Sequence, residues 1–148
     1  MSQVVVHAEK IISASAEQVS RALADYETVR PRILPEQFSE YRVENGGRGA
    51  GTVVHWRFAA TSKRVRDQLL DVTEPAPGTL VETDRNSSMV TTWTVVAEGA
   101  GGAAVTVRTT WDGAGGIGGF FERTFAPKGL SRIHADLLHR LDAELAAG

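Results

Sequence analysis

The stretch that decides the fold is LSRIHADLLHRLDAEL, residues 130–145, near the end of the chain. Its apolar residues recur with the 3.6-residue period of an α-helix and form one stripe: Leu130, Ile133, Leu137, Leu138, Leu141 and Leu145. Charges of alternating sign follow each other at four-residue spacing on the other face: Arg132, Asp136, Arg140 and Glu144. We expect one long, interrupted amphipathic helix over Gly115–Gly148, and its apolar stripe requires a partner surface.

The residues before this helix predict that partner surface, because they have the pattern of antiparallel strands. Alternation of apolar and polar residues is clearest over Ala103–Asp112, which predicts a strand with one dry and one wet face. Over Thr52–Ala60 the same period puts Trp56 and Phe58 on one face, which we expect to be the inner one. Further strands are predicted at Val4–Ile12, from Gln37 to Val43, and at Lys63–Glu74, Thr79–Arg85 and Met89–Ala97.

Two short helices are predicted between the first two strands. Ser15 and Gln18 have the spacing of a capping box, so a helix is expected to begin one residue after Ser15. Asp25 is positioned to cap a second short helix, which Pro31 and Pro35 are expected to end. The predicted fold class is therefore α+β: a seven-stranded curled antiparallel sheet, two short helices after the first strand, and a long C-terminal helix packed across the concave face.

The sequence does not decide which face of the fourth predicted strand points inward. Leu70 and Val72 are expected to face inward, but the same face then carries Arg64, Arg66 and Gln68. Either a bulge reverses the register or polar groups point into the interior. We favour outward-facing, solvated side chains, because an unpaired buried charge is costly. If they face inward, they would supply the polar anchors that orient a ligand in an apolar pocket.

Composition excludes several classes of protein. The 148 residues, with 42% hydrophobic and 23% charged residues, suit one soluble domain over 1–148. A net charge of −2 with scattered basic residues gives no surface for nucleic acid. The lack of cysteine excludes disulfides and fits a reducing cytoplasm, where we expect the protein to be located. No secretory signal is visible, and no run approaches the roughly 18 apolar residues of a membrane span.

Several local strings carry a resemblance to a known family. They are ISASAEQV at 12–19, GTVVHWRF at 51–58, VTEP at 72–75 before GTLV at 78–81, and FFERTFAP at 120–127. With the order of the elements, they resemble the helix-grip fold of the START-like SRPBCC superfamily and its polyketide cyclase/dehydrase-like branch. The resemblance covers nearly the whole chain. It implies a deep, largely apolar cavity between the sheet and the C-terminal helix, and members that bind lipids, sterols, aromatic polyketides or other hydrophobic ligands.

Candidate ligand-binding residues follow from that cavity. Trp56, Trp93 and Trp111 lie on three predicted strands; each alone would be an ordinary core residue, but as a set they favour a cavity wall. The expected ligand contacts are Trp56, Phe58, Trp93, Trp111, Phe121, Leu130, His134 and Leu138. The expected partner is a hydrophobic small molecule.

The sequence contains no compelling catalytic constellation. His134 lies on the apolar side of the predicted helix. It is either a hydrogen-bonded histidine of the core or a residue that contacts the ligand and acts as an acid or base. An inward-facing Arg66 would stabilise an enolate. Ligand binding is the favoured function. The alternative is a polyketide cyclase/dehydrase-type enzyme that promotes intramolecular aldol cyclisation and dehydration, with His134 or a tyrosine as acid/base. A protein-interaction role is a third hypothesis.

Three further motifs complete the sequence predictions. GAGGIG at 113–118 has the spacing of a dinucleotide-binding fingerprint, but no parallel strand follows it, so we expect no nucleotide. The four histidines lack the spacing of a zinc site, so we expect neither a metal nor a cofactor. Pro127 either kinks the long helix or marks the point where one helix ends and another begins.

Overall fold

The computed structural model of the chain describes residues 3–61, 64–112 and 127–147. Its strands are β1 (Gln3–Ile12), β2 (Phe38–Asn45), β3 (Val53–Thr61), β4 (Arg64–Ala76), β5 (Thr79–Asp84), β6 (Val90–Glu98) and β7 (Gly102–Asp112). Its helices are α1 (Ala16–Leu23), α2 (Val29–Ile33) and α3 (Pro127–Ala147). This order confirms the predicted one: a strand, two short helices, six strands and a long helix.

The strands form one antiparallel sheet in the order β1-β7-β6-β5-β4-β3-β2. Strands β2 to β7 pair with their neighbours in the chain, as hairpin connections dictate. The first strand pairs with the last, with Gln3 opposite Asp112 and Ile12 opposite Ala103. The predicted alternation is confirmed in β7, where Val105 and Val107 are fully buried.

The capping box predicted for α1 is confirmed. The hydroxyl of Ser15 accepts a hydrogen bond from the Gln18 backbone N–H at 3.1 Å, and the Gln18 side chain accepts one from the Ser15 N–H at 3.0 Å. The prediction for α2 was wrong at Pro31, which lies inside the helix instead of ending it. The N–H groups of a first turn have no partner within the helix, so a proline there removes no hydrogen bond.

The described part of helix α3 runs from Pro127 to Ala147. Residues 113–126 lie outside the described part of the chain, and so does the predicted interruption of the helix. The predicted apolar stripe is confirmed: Leu130, Ile133, Leu137, Leu138 and Leu141 are all buried.

The helix packs on β1 and α2, and its Glu144 pairs with Arg32 of α2 at 3.0 Å. Among the described helices, none is long and apolar enough to cross a membrane.

The register of β4 overturns the favoured sequence prediction. Pairing of β3 with β4 runs without a shift from Val53 opposite Asp71 to Ala59 opposite Val65. Gln68 therefore shares the inner face with Leu70 and is only 3% exposed, which makes the outward-facing interpretation wrong for this residue. The physical reason is that a neutral amide with hydrogen-bond partners is tolerated in a core, unlike an unpaired charge.

Two other positions in β4 were part of the same prediction. Arg66 follows the same parity as Gln68 and is half-buried opposite Phe58. Arg64 begins the strand, and its side chain lies outside the described part of the structure. The prediction of a bulge that reverses the register is therefore wrong as well, because the only shift in the β3–β4 pairing falls beyond Ala59.

We predict that Leu141→Ala lowers the free energy of unfolding by about 2–5 kcal/mol, because Leu141 is fully buried and its loss leaves a cavity. Leu145→Ala, one turn later on the same helix, is the matched control. Leu145 is only partly buried, so its truncation should cost about 1 kcal/mol. Urea unfolding of both variants measures the difference; equal losses would contradict the placement of the stripe.

Candidate functional site

A cavity lies between the inner face of the sheet and α3. The space not occupied by protein atoms is about 430 Å³, a figure that includes solvent at the open side. Its lining comes from α2, the loop after α2, the six strands β2 to β7, the turn before β6, and α3: Arg30, Leu34, Phe38, Trp56, Phe58, Gln68, Glu82, Met89, Thr91, Trp93, Thr109, Leu130, His134 and Leu137. Helix α3 packs mainly on β1 and α2, and its side chains Leu130, His134 and Leu137 line the cavity.

One wall of the cavity is aromatic. Phe38 stacks on Phe58 with a centroid distance of 4.7 Å and meets Trp56 edge-on at 5.4 Å. Tyr41 stacks behind Trp56 at 6.2 Å. The register produces this group, because Phe38 of β2 lies directly opposite Phe58 of β3. The wall presents flat apolar surface to the cavity.

A buried ion pair forms another part of the lining. The guanidinium of Arg30 donates to the carboxylate of Glu82 at 2.8 Å, and the two residues are 1% and 2% exposed. Tyr26 donates its hydroxyl to Glu82 at 2.5 Å, and the indole N–H of Trp93 donates to the other carboxylate oxygen at 3.2 Å. Arg30 also donates to the carbonyl of Leu23 at 3.1 Å. Its guanidinium lies over the Tyr26 and Trp93 rings at 4.6 and 5.0 Å.

The surroundings fix the protonation of this group. Burial by itself would lower the pKa of Arg30, but the adjacent Glu82 carboxylate outweighs it and raises the pKa above its ordinary value. Burial, together with Glu82, raises the pKa of the Tyr26 hydroxyl well above its ordinary value. Arg30 therefore stays charged and Tyr26 stays neutral at physiological pH. The charges of Arg30 and Glu82 cancel within the pair.

Gln68 is a second polar part of the lining, next to Trp56 of the aromatic wall. Its side-chain oxygen accepts a hydrogen bond from the indole N–H of Trp56 at 2.8 Å. Its amide nitrogen lies 3.3 Å from the sulfur of Met89 and 3.5 Å from a carboxylate oxygen of Asp84. Asp84 is held in turn by the hydroxyl of Ser87 at 2.6 Å. These bonds satisfy the amide of Gln68 inside the sheet.

His134 forms the third polar position, on the α3 side. Its Nε2 lies 2.8 Å from the hydroxyl of Thr109, which lies 2.8 Å from the hydroxyl of Thr91. Nδ1 of His134 has no hydrogen-bond partner among the described residues. Burial lowers the pKa of His134 from 6.5 to about 4, so the imidazole is neutral at pH 7. A neutral imidazole offers one donor and one acceptor.

Comparison with known proteins places this site in a family. Residues 3–146 match the family described as polyketide cyclase / dehydrase and lipid transport. The chain belongs to that family. The resemblance inferred from the sequence strings is thereby confirmed. A comparison with curated proteins found no significant match.

Solved structures of the same fold extend the comparison. The KanY protein, known from an NMR solution structure, is 46% identical over 99% of both chains, with a TM-score of 0.89. Norcoclaurine synthase from Thalictrum flavum, solved with dopamine and hydroxybenzaldehyde, is 14% identical over 99% of this chain and 88% of its own, with a TM-score of 0.71. The Zhui aromatase/cyclase from Streptomyces sp. R1128 is 12% identical over 97% and 93%, with a TM-score of 0.73. The last two show the helix-grip fold alone.

The cavity brings together most of the predicted ligand contacts of this family member: Trp56, Phe58, Trp93, Leu130 and His134. Trp111 and Leu138 are buried in the core and do not belong to the lining. Phe121 lies outside the described residues. Whether the lining residues contact a ligand stays a prediction.

The two catalytic candidates are separated. His134 lies on the cavity wall, whereas Arg66 is half-buried and is not part of the lining. Within the described ranges, no group of three or more histidine and acidic side chains is arranged to hold a metal ion.

Sequence reasoning missed the ion pair. A signal was available in β5, where the inward parity of Leu80 also places Glu82 on the inner face. Arg30, in contrast, is one of several basic residues around α2, and its local sequence does not distinguish it from the exposed Arg32. Their pairing requires that α2 fold back over the sheet.

We predict that His134→Gln weakens the dependence of stability on pH. The folded pKa of His134 lies below its ordinary value, so the unfolded chain binds more protons below pH 6.5. This contribution to stability is complete above pH 6.5 and is lost as the pH falls towards 4. Between pH 7 and pH 5, the wild type should lose about 2 kcal/mol more than the variant. Urea unfolding at both pH values measures this, and equal losses would count against the assigned environment.

We predict that Arg30→Met alone lowers the free energy of unfolding by about 3–5 kcal/mol, because it leaves Glu82 buried without its cation. The double variant Arg30→Met/Glu82→Gln removes both charges and should be more stable than the single variant. Urea unfolding of the single and double variants at pH 7 gives the comparison. A double variant that is less stable than Arg30→Met would overturn this account of the pair.

Proposed function

We propose that the protein binds a hydrophobic or aromatic small molecule in the cavity between the sheet and α3. The observation that carries the proposal is the lining of the cavity, which combines an aromatic wall with a few polar groups. That combination is typical of ligand sites, in which apolar surface supplies affinity and sparse polar groups set orientation. The family description, which includes lipid transport, and the aromatic molecules held by norcoclaurine synthase support the same ligand class.

The aromatic wall supplies the affinity in this proposal. Phe38, Trp56 and Phe58 form a continuous apolar surface, and Leu130 and Leu137 face it from α3. A ligand that removes roughly 200 Å² of apolar surface from water gains about 5 kcal/mol, from which the loss of its free motion is subtracted. Hydrogen bonds to Gln68 and His134 set the orientation of the ligand in the cavity.

An enzymatic role is the second candidate, and the position of His134 favours it. This imidazole lies on the cavity wall with Thr109 at one nitrogen, where a bound substrate would meet it, although a pKa of about 4 makes it a weak base at pH 7. The Zhui aromatase/cyclase and norcoclaurine synthase share the fold. We place catalysis second, because Arg66, the predicted oxyanion partner, is not part of the lining.

Fluorescence titration with N-phenyl-1-naphthylamine, an uncharged aromatic probe, tests the binding function. We predict saturable binding to the wild type that Leu34→Trp weakens at least tenfold. Leu34 is a half-buried lining residue in the loop after α2, so a larger ring there occupies the cavity. The emission of the probe is the readout, which the added tryptophan does not share.

Leu145→Trp is the matched control. Leu145 is also a half-buried leucine, but it lies at the outer groove between α1 and α3, away from the cavity. This variant should bind the probe as the wild type does. The proposal fails if the wild type shows no saturable binding, or if both tryptophan variants weaken it equally.

A further inference from the structure

We infer that the cavity selects an uncharged, planar aromatic ligand with a hydroxyl or carbonyl group, and discriminates against carboxylate anions and ammonium cations of the same shape. This inference rests on the proposed binding function and narrows its ligand class. It follows from the ion pair and the hydrogen bonds that the polar groups of the described lining already form with one another.

The charged side chains that the described residues contribute to the lining are Arg30 and Glu82. Each is already occupied by the other at 2.8 Å. Glu82 accepts further hydrogen bonds from Tyr26 and Trp93, so both of its oxygens are engaged. The pair therefore presents no net charge to a ligand, and an ionic headgroup would have to break it to find a partner.

The guanidinium of Arg30 is shielded as well as paired. One terminal nitrogen donates to Glu82 and the other to the carbonyl of Leu23, while the Tyr26 and Trp93 rings lie against the guanidinium. Its Nε has no hydrogen-bond partner among the described residues. That N–H is buried and belongs to a pair without net charge, so it adds no free cation that would attract a carboxylate.

The other polar lining residues are uncharged. Gln68, Thr91 and Thr109 carry an amide and two hydroxyls, and His134 is a neutral imidazole bonded to Thr109. Such groups form hydrogen bonds with neutral partners but do not balance an ionic charge. Because the lining is otherwise apolar, burying an unpaired ion here costs far more than burying a hydroxyl that finds a partner.

The aromatic wall sets the shape of the ligand. Phe38 and Phe58 stack nearly parallel, with 25° between their planes, and Trp56 meets Phe38 edge-on. Flat rings pack on such a surface with little loss of contact. A planar aromatic molecule with one or two neutral oxygen substituents satisfies both the wall and the polar positions.

A matched series of naphthalenes tests the inference at pH 7. The ligands are 2-naphthol, which is neutral, 2-naphthoate, which is an anion, and 2-naphthylmethylammonium, which is a cation. Each competes with N-phenyl-1-naphthylamine for the wild-type protein. We expect 2-naphthol to bind at least tenfold more tightly than either ion.

The possible results separate the inference from the proposed function. If either ion binds as tightly as 2-naphthol, or none of the three displaces a bound probe, the charge and shape selection is wrong although binding stands. If neither the probe nor any naphthalene binds, the proposed function itself fails and the inference with it. The series uses only the wild type, so it does not depend on the folding of a variant.

Glu82→Gln tests the role of the ion pair directly. It removes the charge that neutralises Arg30 and keeps a side chain of similar shape. The ratio of the affinity for 2-naphthoate to the affinity for 2-naphthol should therefore rise at least tenfold. The matched control is Glu44→Gln, which breaks the exposed pair of Glu44 with Arg42 and should leave the ratio unchanged. An unchanged ratio in folded Glu82→Gln would show that the pair does not set the charge preference.

Discussion

The buried pair of Arg30 and Glu82 is the interaction on which the arrangement of the site depends. Helix α2 has only five residues, too few to be stable alone, and Arg30 ties it to β5 in the middle of the sheet. A buried ion pair adds little stability compared with apolar residues of the same volume. The pair instead fixes positions, because the carboxylate of Glu82 binds Arg30, Tyr26 and Trp93 at one point beside the cavity.

The cavity is a consequence of how a curled sheet and one helix fit together. Alternate residues of each strand point to the inner face, so the sheet supplies more inward-facing surface than α3 covers. Helix α3 packs on β1 and α2, and α1 packs on β6 and β7, so the cavity lies over the part of the inner face that these helices leave. The aromatic wall and the neutral hydrogen-bonding groups line that part, on the same face that elsewhere forms the core.

Prediction from sequence succeeded where the physical cause is local and failed where it is not. The leucine stripe of α3 and the alternation of β7 are periodic patterns, and both were read correctly. Gln68 was misjudged because its acceptability inside the sheet depends on Trp56, Met89 and Asp84, which lie 12 to 21 residues away. The ion pair joins residues from separate elements, and no local pattern encodes such a partner.

The pairing of β1 with β7 has a consequence for the synthesis of the protein. Gln3 pairs with Asp112, so more than a hundred further residues must be synthesised before Gln3 has its strand partner. At about 5–20 residues per second, translation leaves the β-branched residues of this strand unpaired for roughly 5–20 s. Contacts between such distant parts of a chain also form slowly after release. The edge of the sheet formed by β1 can therefore be completed only after β7, the last of the described strands, has been synthesised.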